Sequence, residues 1–180
     1  MKLKTLIRLW LWTVLLAVAA FAVLAVLEQK LKAATGAGVL DLQGAASAMD
    51  YKRILAAWIA RPHAAAAGFS LGFDYLFMPL YAFAFYFSAM LAREGFTPKR
   101  GVARRTVDYL GFVPFIGMFA DGIENGLEYA MLTGGADDGT ARLASMATSV
   151  KWTCFTVGLL LLLAAIAGVV KLRLPKKEEA

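Results

Sequence analysis

Four polar residues suited to acid–base or cation chemistry lie within an otherwise apolar stretch of this sequence. They are Asp121, Glu124, Asn125 and Glu128. Their positions, i, i+3, i+4 and i+7, share one face of a helix. A charge at the centre of a bilayer costs about 3 kcal/mol or more. Such a group within a membrane span indicates a site, a proton path or a buried ion pair.

A second acidic residue, Asp74, is predicted to lie at the same depth as Asp121. Asp74 is about 10 residues from the outer start of its apolar run, and Asp121 about 11 from the outer end of its own, so both lie roughly 15–17 Å deep. If the two helices are neighbours, their carboxylates can meet. Glu124 and Asn125 would extend the site outward, and Lys151 would begin a further helix near the uppermost carboxylate.

The elements that must position these residues are membrane helices. Hydrophobic residues make up 60% of the 180-residue chain and its mean hydropathy is +0.63, whereas soluble domains are about 45–50% apolar. The excess lies in four runs that can each cross a hydrocarbon core of about 30 Å. Since the runs lack the alternation of barrel strands, we predict an all-α, four-helix transmembrane bundle forming one domain. The predicted spans are about 6–28, 64–92, 109–133 and 151–171.

Basic residues indicate the orientation of these spans. Lysine and arginine precede the first span, fill the loop between the second and third, and follow the fourth, whereas the third loop has Asp137 and Asp138 with only Arg142. The positive-inside rule then places both termini in the cytoplasm. Contact of these flanks with anionic lipid headgroups explains the net charge of +6, and we predict no nucleic-acid partner. A cleaved signal peptide over residues 1–27 is the alternative, but Glu28 and Lys30 rather than small residues follow its apolar run.

The first external loop is predicted to contain an amphipathic helix over about residues 48–60. Ser47 and Asp50 form a capping-box pattern at its start, and Pro62 closes it. One face carries Tyr51, Leu55, Trp58 and Ile59. Such a helix either lies on the membrane surface or covers the outer mouth of the bundle.

Proline and small residues predict features of the inner packing. Pro79 should kink the second span and free a carbonyl near Asp74 and Tyr75. Small-xxx-small pairs permit close helix approach, either inside the bundle or in a homo-oligomer. These pairs are Gly68 with Gly72 and Gly122 with Gly126.

The candidate polar site therefore comprises Asp74, Asp121, Glu124, Asn125 and Lys151, with Tyr75 and Glu128 ranked lower. Glu128 is predicted to be the exit of the site or a surface residue. The carboxylates and Asn125 offer oxygen ligands for a hard cation. However, the only histidine, His63, and the only cysteine, Cys154, lie apart, so we predict neither a metal centre nor a cofactor.

Three functions are compatible with this site. The leading hypothesis is binding or transport of a small solute, proton or cation. The second is an enzyme whose carboxylates perform acid–base chemistry on a lipid-like substrate. The third is a structural or assembly subunit, in which the cluster is a buried polar network. No catalytic residue is assigned.

Short motifs along the chain resemble those of uncharacterised small bacterial four-helix integral membrane proteins. They are Asp41-Leu42-Gln43, Ile54 to Trp58, Phe73 to Phe77 followed by Pro79-Leu80-Tyr81, Asp121-x-x-Glu124-Asn125, and Lys151-Trp152. The resemblance implies the architecture, a location in the bacterial inner (plasma) membrane, and one functional unit that contains Asp74, Asp121, Glu124, Asn125 and Lys151. Glu128 is not part of this pattern.

Overall fold

A computed structural model describes residues 1–45, 47–59, 63–98 and 100–173, and every regular element in those ranges is a helix. The predicted all-α class is confirmed. The helices are α1 (Leu3–Thr35), α2 (Val39–Gln43), α3 (Ala48–Ile59), α4 (His63–Phe96), α5 (Val102–Leu110), α6 (Val113–Gly134) and α7 (Asp138–Arg173).

Three of these helices, α1, α4 and α7, are long and apolar enough to cross a membrane. They contain the first, second and fourth predicted spans. The third predicted span coincides with α6, which is 22 residues long. This helix is not among the three, and it carries three acidic residues, Asp121, Glu124 and Glu128.

The α4 helix is the centre of the bundle, because α1, α6 and α7 all pack against it. The α6 and α7 helices also pack extensively against each other. Near the start of α1, the Trp10 indole donates a hydrogen bond of 2.9 Å to the Ser88 hydroxyl and joins α1 to α4. The rings of Tyr81 and Phe155, 5.4 Å apart, join α4 to α7. Pro79 lies inside the continuous α4 helix, and the kink remains a prediction.

The closest helix approaches are not at the predicted glycine pairs. A Cβ added to Gly95 would lie 2.6 Å from the Gly168 Cα, which brings the backbones of α4 and α7 together. Gly72, by contrast, faces open space, and Gly122 and Gly126 face the Tyr75 side chain rather than another backbone. Sequence spacing identified small residues but could not identify which of them meet another helix.

The α3 helix covers one end of the bundle and packs against α4, α6 and α7. Its start is capped as predicted, because the Asp50 amide donates to the Ser47 hydroxyl oxygen at 3.2 Å. Tyr51 and Trp58 are fully buried, and the Trp58 indole donates to the Ala37 carbonyl at 2.8 Å. Ile59 was assigned wrongly to this face: it is exposed, and Ile54 is buried instead. Pro62 lies outside the described residues.

The α7 helix begins much earlier than predicted, at Asp138. The Asp137 carboxylate accepts hydrogen bonds from the Gly139 and Thr140 amides, at 2.9 and 3.0 Å, and so stabilises the helix start. Lys151 therefore does not open this helix. It lies 13 residues, about 20 Å, inside it.

Candidate functional site

The centre of the polar cluster is Lys151, whose ammonium group is buried between two carboxylates of α6. Its Nζ lies 3.2 Å from Asp121 Oδ1 and 2.5 Å from Glu124 Oε2. The three side chains are 8%, 4% and 0% exposed. Asp121 and Glu124 are three residues apart, so that their side chains leave α6 on the same face and reach one lysine of α7. The ion pairs hold α6 against α7.

Hydrogen bonds extend this cluster to α4 and further along α7. The Tyr81 hydroxyl of α4 donates to Asp121 Oδ2 at 3.2 Å. The Thr148 hydroxyl of α7 donates to Glu124 Oε1 at 2.6 Å. Tyr81 lies seven residues after Asp74, and Thr148 three before Lys151, so both lie on faces already identified. Helix spacing could therefore have found these two residues, although the sequence analysis did not include them.

The structure brings Asp74 into the same cluster through Asn125. The Asn125 amide donates to Asp74 Oδ2 at 2.7 Å, which joins α6 to α4. Asp74 and Asp121 do not hydrogen-bond to each other but line one cavity together with Lys151. Tyr75 lies outside the cluster, where it is 49% exposed and donates to the Gly122 carbonyl at 2.8 Å. This hydrogen bond joins α4 to α6.

The structure corrects the position of Glu128, which is neither an exit nor a surface residue. Its side chain is 0% exposed, and neither carboxylate oxygen has a hydrogen-bond partner within the described residues. The Tyr51 hydroxyl of α3 is also buried without a partner there. The prediction failed because α3 packs over this end of the bundle, where sequence depth alone suggested headgroup water.

The buried cluster contains more acidic than basic groups. Among the described residues, the buried Asp121, Glu124 and Glu128 and the half-buried Asp74 face one ammonium group, that of Lys151, so full ionisation would leave three uncompensated negative charges. An uncompensated ion in a protein interior costs several kcal/mol. We therefore expect the cluster to take up protons or to bind a positively charged group.

A cavity of about 610 Å³ opens beside the cluster and is lined by α1, α2, α4 and α7, with Asp121 of α6. On α4 it extends from Ser70 to Phe85, about 22 Å along the helix axis. Its walls are mostly apolar, and its charged lining residues are Asp74, Asp121, Lys151 and Glu28. We call this cavity the lateral cleft, because α1 and α7 both pack on α4 but not extensively on each other.

Comparisons with known proteins provide no relative from which a function could be transferred. No protein-family model matches the sequence, and neither a curated protein nor a solved structure matches it. The resemblance to small bacterial four-helix membrane proteins therefore stays a prediction. The chemistry of the cluster and the shape of the lateral cleft are the observations from which a function can be argued.

Proposed function

We propose that this protein binds an amphipathic, lipid-like molecule in the lateral cleft, with the polar head at the carboxylate cluster. The observation that carries the proposal is the continuity of a long apolar cavity with Asp74, Asp121 and Lys151. Ligand sites are commonly apolar cavities of about 300–1,000 Å³ with a few convergent polar groups. A molecule with one polar end and a hydrocarbon chain matches this distribution.

The charge of the cluster selects the type of head group. Lys151 already pairs with Asp121 and Glu124, so an anionic head would meet excess carboxylates without a free cation in the cluster. Asp74 lines the cleft and uses one carboxylate oxygen for Asn125, which leaves its other oxygen as an acceptor. We therefore propose a head that donates hydrogen bonds, either an amine or a hydroxyl group.

Blocking the cleft tests this proposal. The rings of Phe21 and Phe77 lie 6.0 Å apart, so Ala25, one turn further along α1, lies near the level of Asp74. Ala25→Trp should weaken binding of radiolabelled hexadecylamine to the full chain in nanodiscs at least tenfold, because the indole fills the cleft. Ala22→Trp is the matched control, since Ala22 is exposed and does not line the cleft.

The same assay separates the proposal from the other functions. Hexadecylamine and hexadecanol should bind more tightly than palmitate, and equal binding to wild type and Ala25→Trp would contradict the proposal. A purely structural subunit would need the paired cluster but not the cleft. An enzyme would convert the bound molecule, which mass spectrometry of the extracted ligand would reveal.

We further propose that α6 is the third of four spans, with both termini in the cytoplasm of the bacterial inner membrane. The support is the distribution of residues around α6. Its acidic residues are buried against α4 and α7. Its outward residues are apolar and exposed, namely Ile116, Phe119 and Ile123. A helix of 22 residues is about 33 Å long, enough to cross the hydrocarbon core.

Labelling of single cysteines tests this topology. In a Cys154→Ala background, Arg100→Cys reports on which side of the membrane the loop before α5 lies. Asp138→Cys does the same for the start of α7, and both positions are exposed. We expect a membrane-impermeant maleimide to label Asp138→Cys in spheroplasts and Arg100→Cys only after lysis. Labelling of both positions from the same side would contradict a spanning α6.

A further inference from the structure

Glu128 has a different environment from the other acids of the cluster. It lies four residues after Glu124 on the same face of α6, yet it does not line the lateral cleft. Its carboxylate is fully buried and unpartnered within the described residues, unlike those of Asp121 and Glu124, which contact Lys151. An ionised carboxylate in such a place would bear the full cost of desolvation.

Among the described residues, the positive charge that acts on Glu128 is that of Lys151, which already pairs with Asp121 and Glu124. Titratable groups reach it from each helix that packs around it: Tyr51 on α3, Asp74 on α4, Asp121 and Glu124 on α6, and Lys151 on α7. Burial raises the pKa of the Tyr51 phenol, so Tyr51 remains a neutral donor. Within the described ranges, no three Asp, Glu, His or Cys side chains are arranged to hold a metal ion.

We propose that Glu128 holds a proton in the resting protein, in a site sealed from the outside by α3 and joined to the lateral cleft through Glu124, Lys151 and Asp121. Three observations support this connection: Glu124 is one helical turn from Glu128, Lys151 bridges Glu124 and Asp121, and Asp121 lines the cleft. The axial distance from Glu128 to Asp121 is seven residues, about 10 Å.

The proton on Glu128 couples to ligand binding in the cleft, and this coupling rests on the proposed ligand binding. An ammonium head near Asp121 adds a positive charge and competes with Lys151 for that carboxylate. Lys151, which keeps its contact with Glu124, is then free to move toward Glu128. The added positive charge favours release of the Glu128 proton, which leaves by way of Glu124 and Asp121 through the cleft, so one cation enters as one proton leaves. Hexadecylamine should therefore bind more tightly as pH rises through the range where this proton is lost.

Infrared spectroscopy of the full chain in nanodiscs, without added amphiphile, tests the proton site directly. A protonated buried carboxyl group has a carbonyl stretch that shifts slightly in D₂O. We expect wild type to show this band and Glu128→Gln to lose a component equal to one carboxyl group. Glu94→Gln is the control, because Glu94 is partly exposed and paired with Arg93 and Arg104, so the band should remain.

The outcomes distinguish this inference from the proposed function. An identical carbonyl band in wild type and Glu128→Gln, or no band in wild type, would overturn the proton site whatever the cleft binds. Since glutamine resembles the neutral acid in shape, Glu128→Gln should unfold at the same temperature as Glu94→Gln or higher, and a large decrease would also contradict a protonated Glu128. If hexadecylamine binds but leaves the Glu128 component unchanged, the coupling is wrong.

Discussion

Replacing Lys151 with methionine should destabilise the protein by about 3–5 kcal/mol, the typical cost of removing one partner from a buried ion pair. The methionine leaves Asp121 and Glu124 without the ammonium group that lies 3.2 and 2.5 Å from them. It also preserves most of the apolar volume of the lysine stem, so lost packing contributes little. Unfolding of the purified chain in mixed detergent micelles, with increasing SDS, measures the change.

Two further variants show whether the buried charge is the cause. Lys32→Met removes a similar ion pair with Asp41, but those side chains are 54% and 36% exposed, so its cost should stay below about 1 kcal/mol. Adding Asp121→Asn and Glu124→Gln to Lys151→Met removes the uncompensated charges and should recover most of the lost stability. Equal effects of Lys151→Met and Lys32→Met would mean that water reaches the Lys151 pair.

Trp58→Ala should have a comparable effect, about 3–5 kcal/mol, because truncation of a buried tryptophan leaves a large cavity. Trp58 is fully buried in the core that joins α3 to the bundle, and its indole bonds the Ala37 carbonyl at 2.8 Å. The lost stability should be concentrated in α3, because α3 packs less extensively on the bundle than the long helices pack on one another. Hydrogen–deuterium exchange should therefore rise first in α3 and only later in α4 and α7.

The matched control is Trp12→Ala, which removes the same side chain from a position that is 61% exposed. It should change neither the stability of the bundle nor the exchange of α3. Uniformly faster exchange throughout the Trp58→Ala chain would contradict the view that α3 is a separate cover. Loss of that cover should also admit water to Glu128 and so weaken the Glu128 carbonyl band.

Periodicity and length in the sequence predicted the four longest helices and α3, and they identified the acidic residues, Asn125 and Lys151 of the cluster, although not Tyr81 and Thr148. Long apolar runs must bury their backbone polar groups in helices. A spacing of three or four residues places Asp121, Glu124 and Asn125 on one face regardless of what packs there. Counting residues from each apparent helix end placed Asp74 near Asp121, and the structure joins both to one cavity.

The tertiary structure decided which neighbouring helix covers each face of a helix. The sequence of one helix does not encode this information by itself. Glu128 lies on the predicted face, but only the packing of α3 makes it a sealed residue rather than an exit. Lys151 reaches two carboxylates because α7 begins at Asp138 and runs beside α6. The lateral cleft exists because α1 packs on α4 without closing against α7. Residue spacing determines the direction in which each side chain leaves a helix and its depth along that helix. The burial of a side chain, its pairing with a partner and the open space beside it depend on contacts between helices.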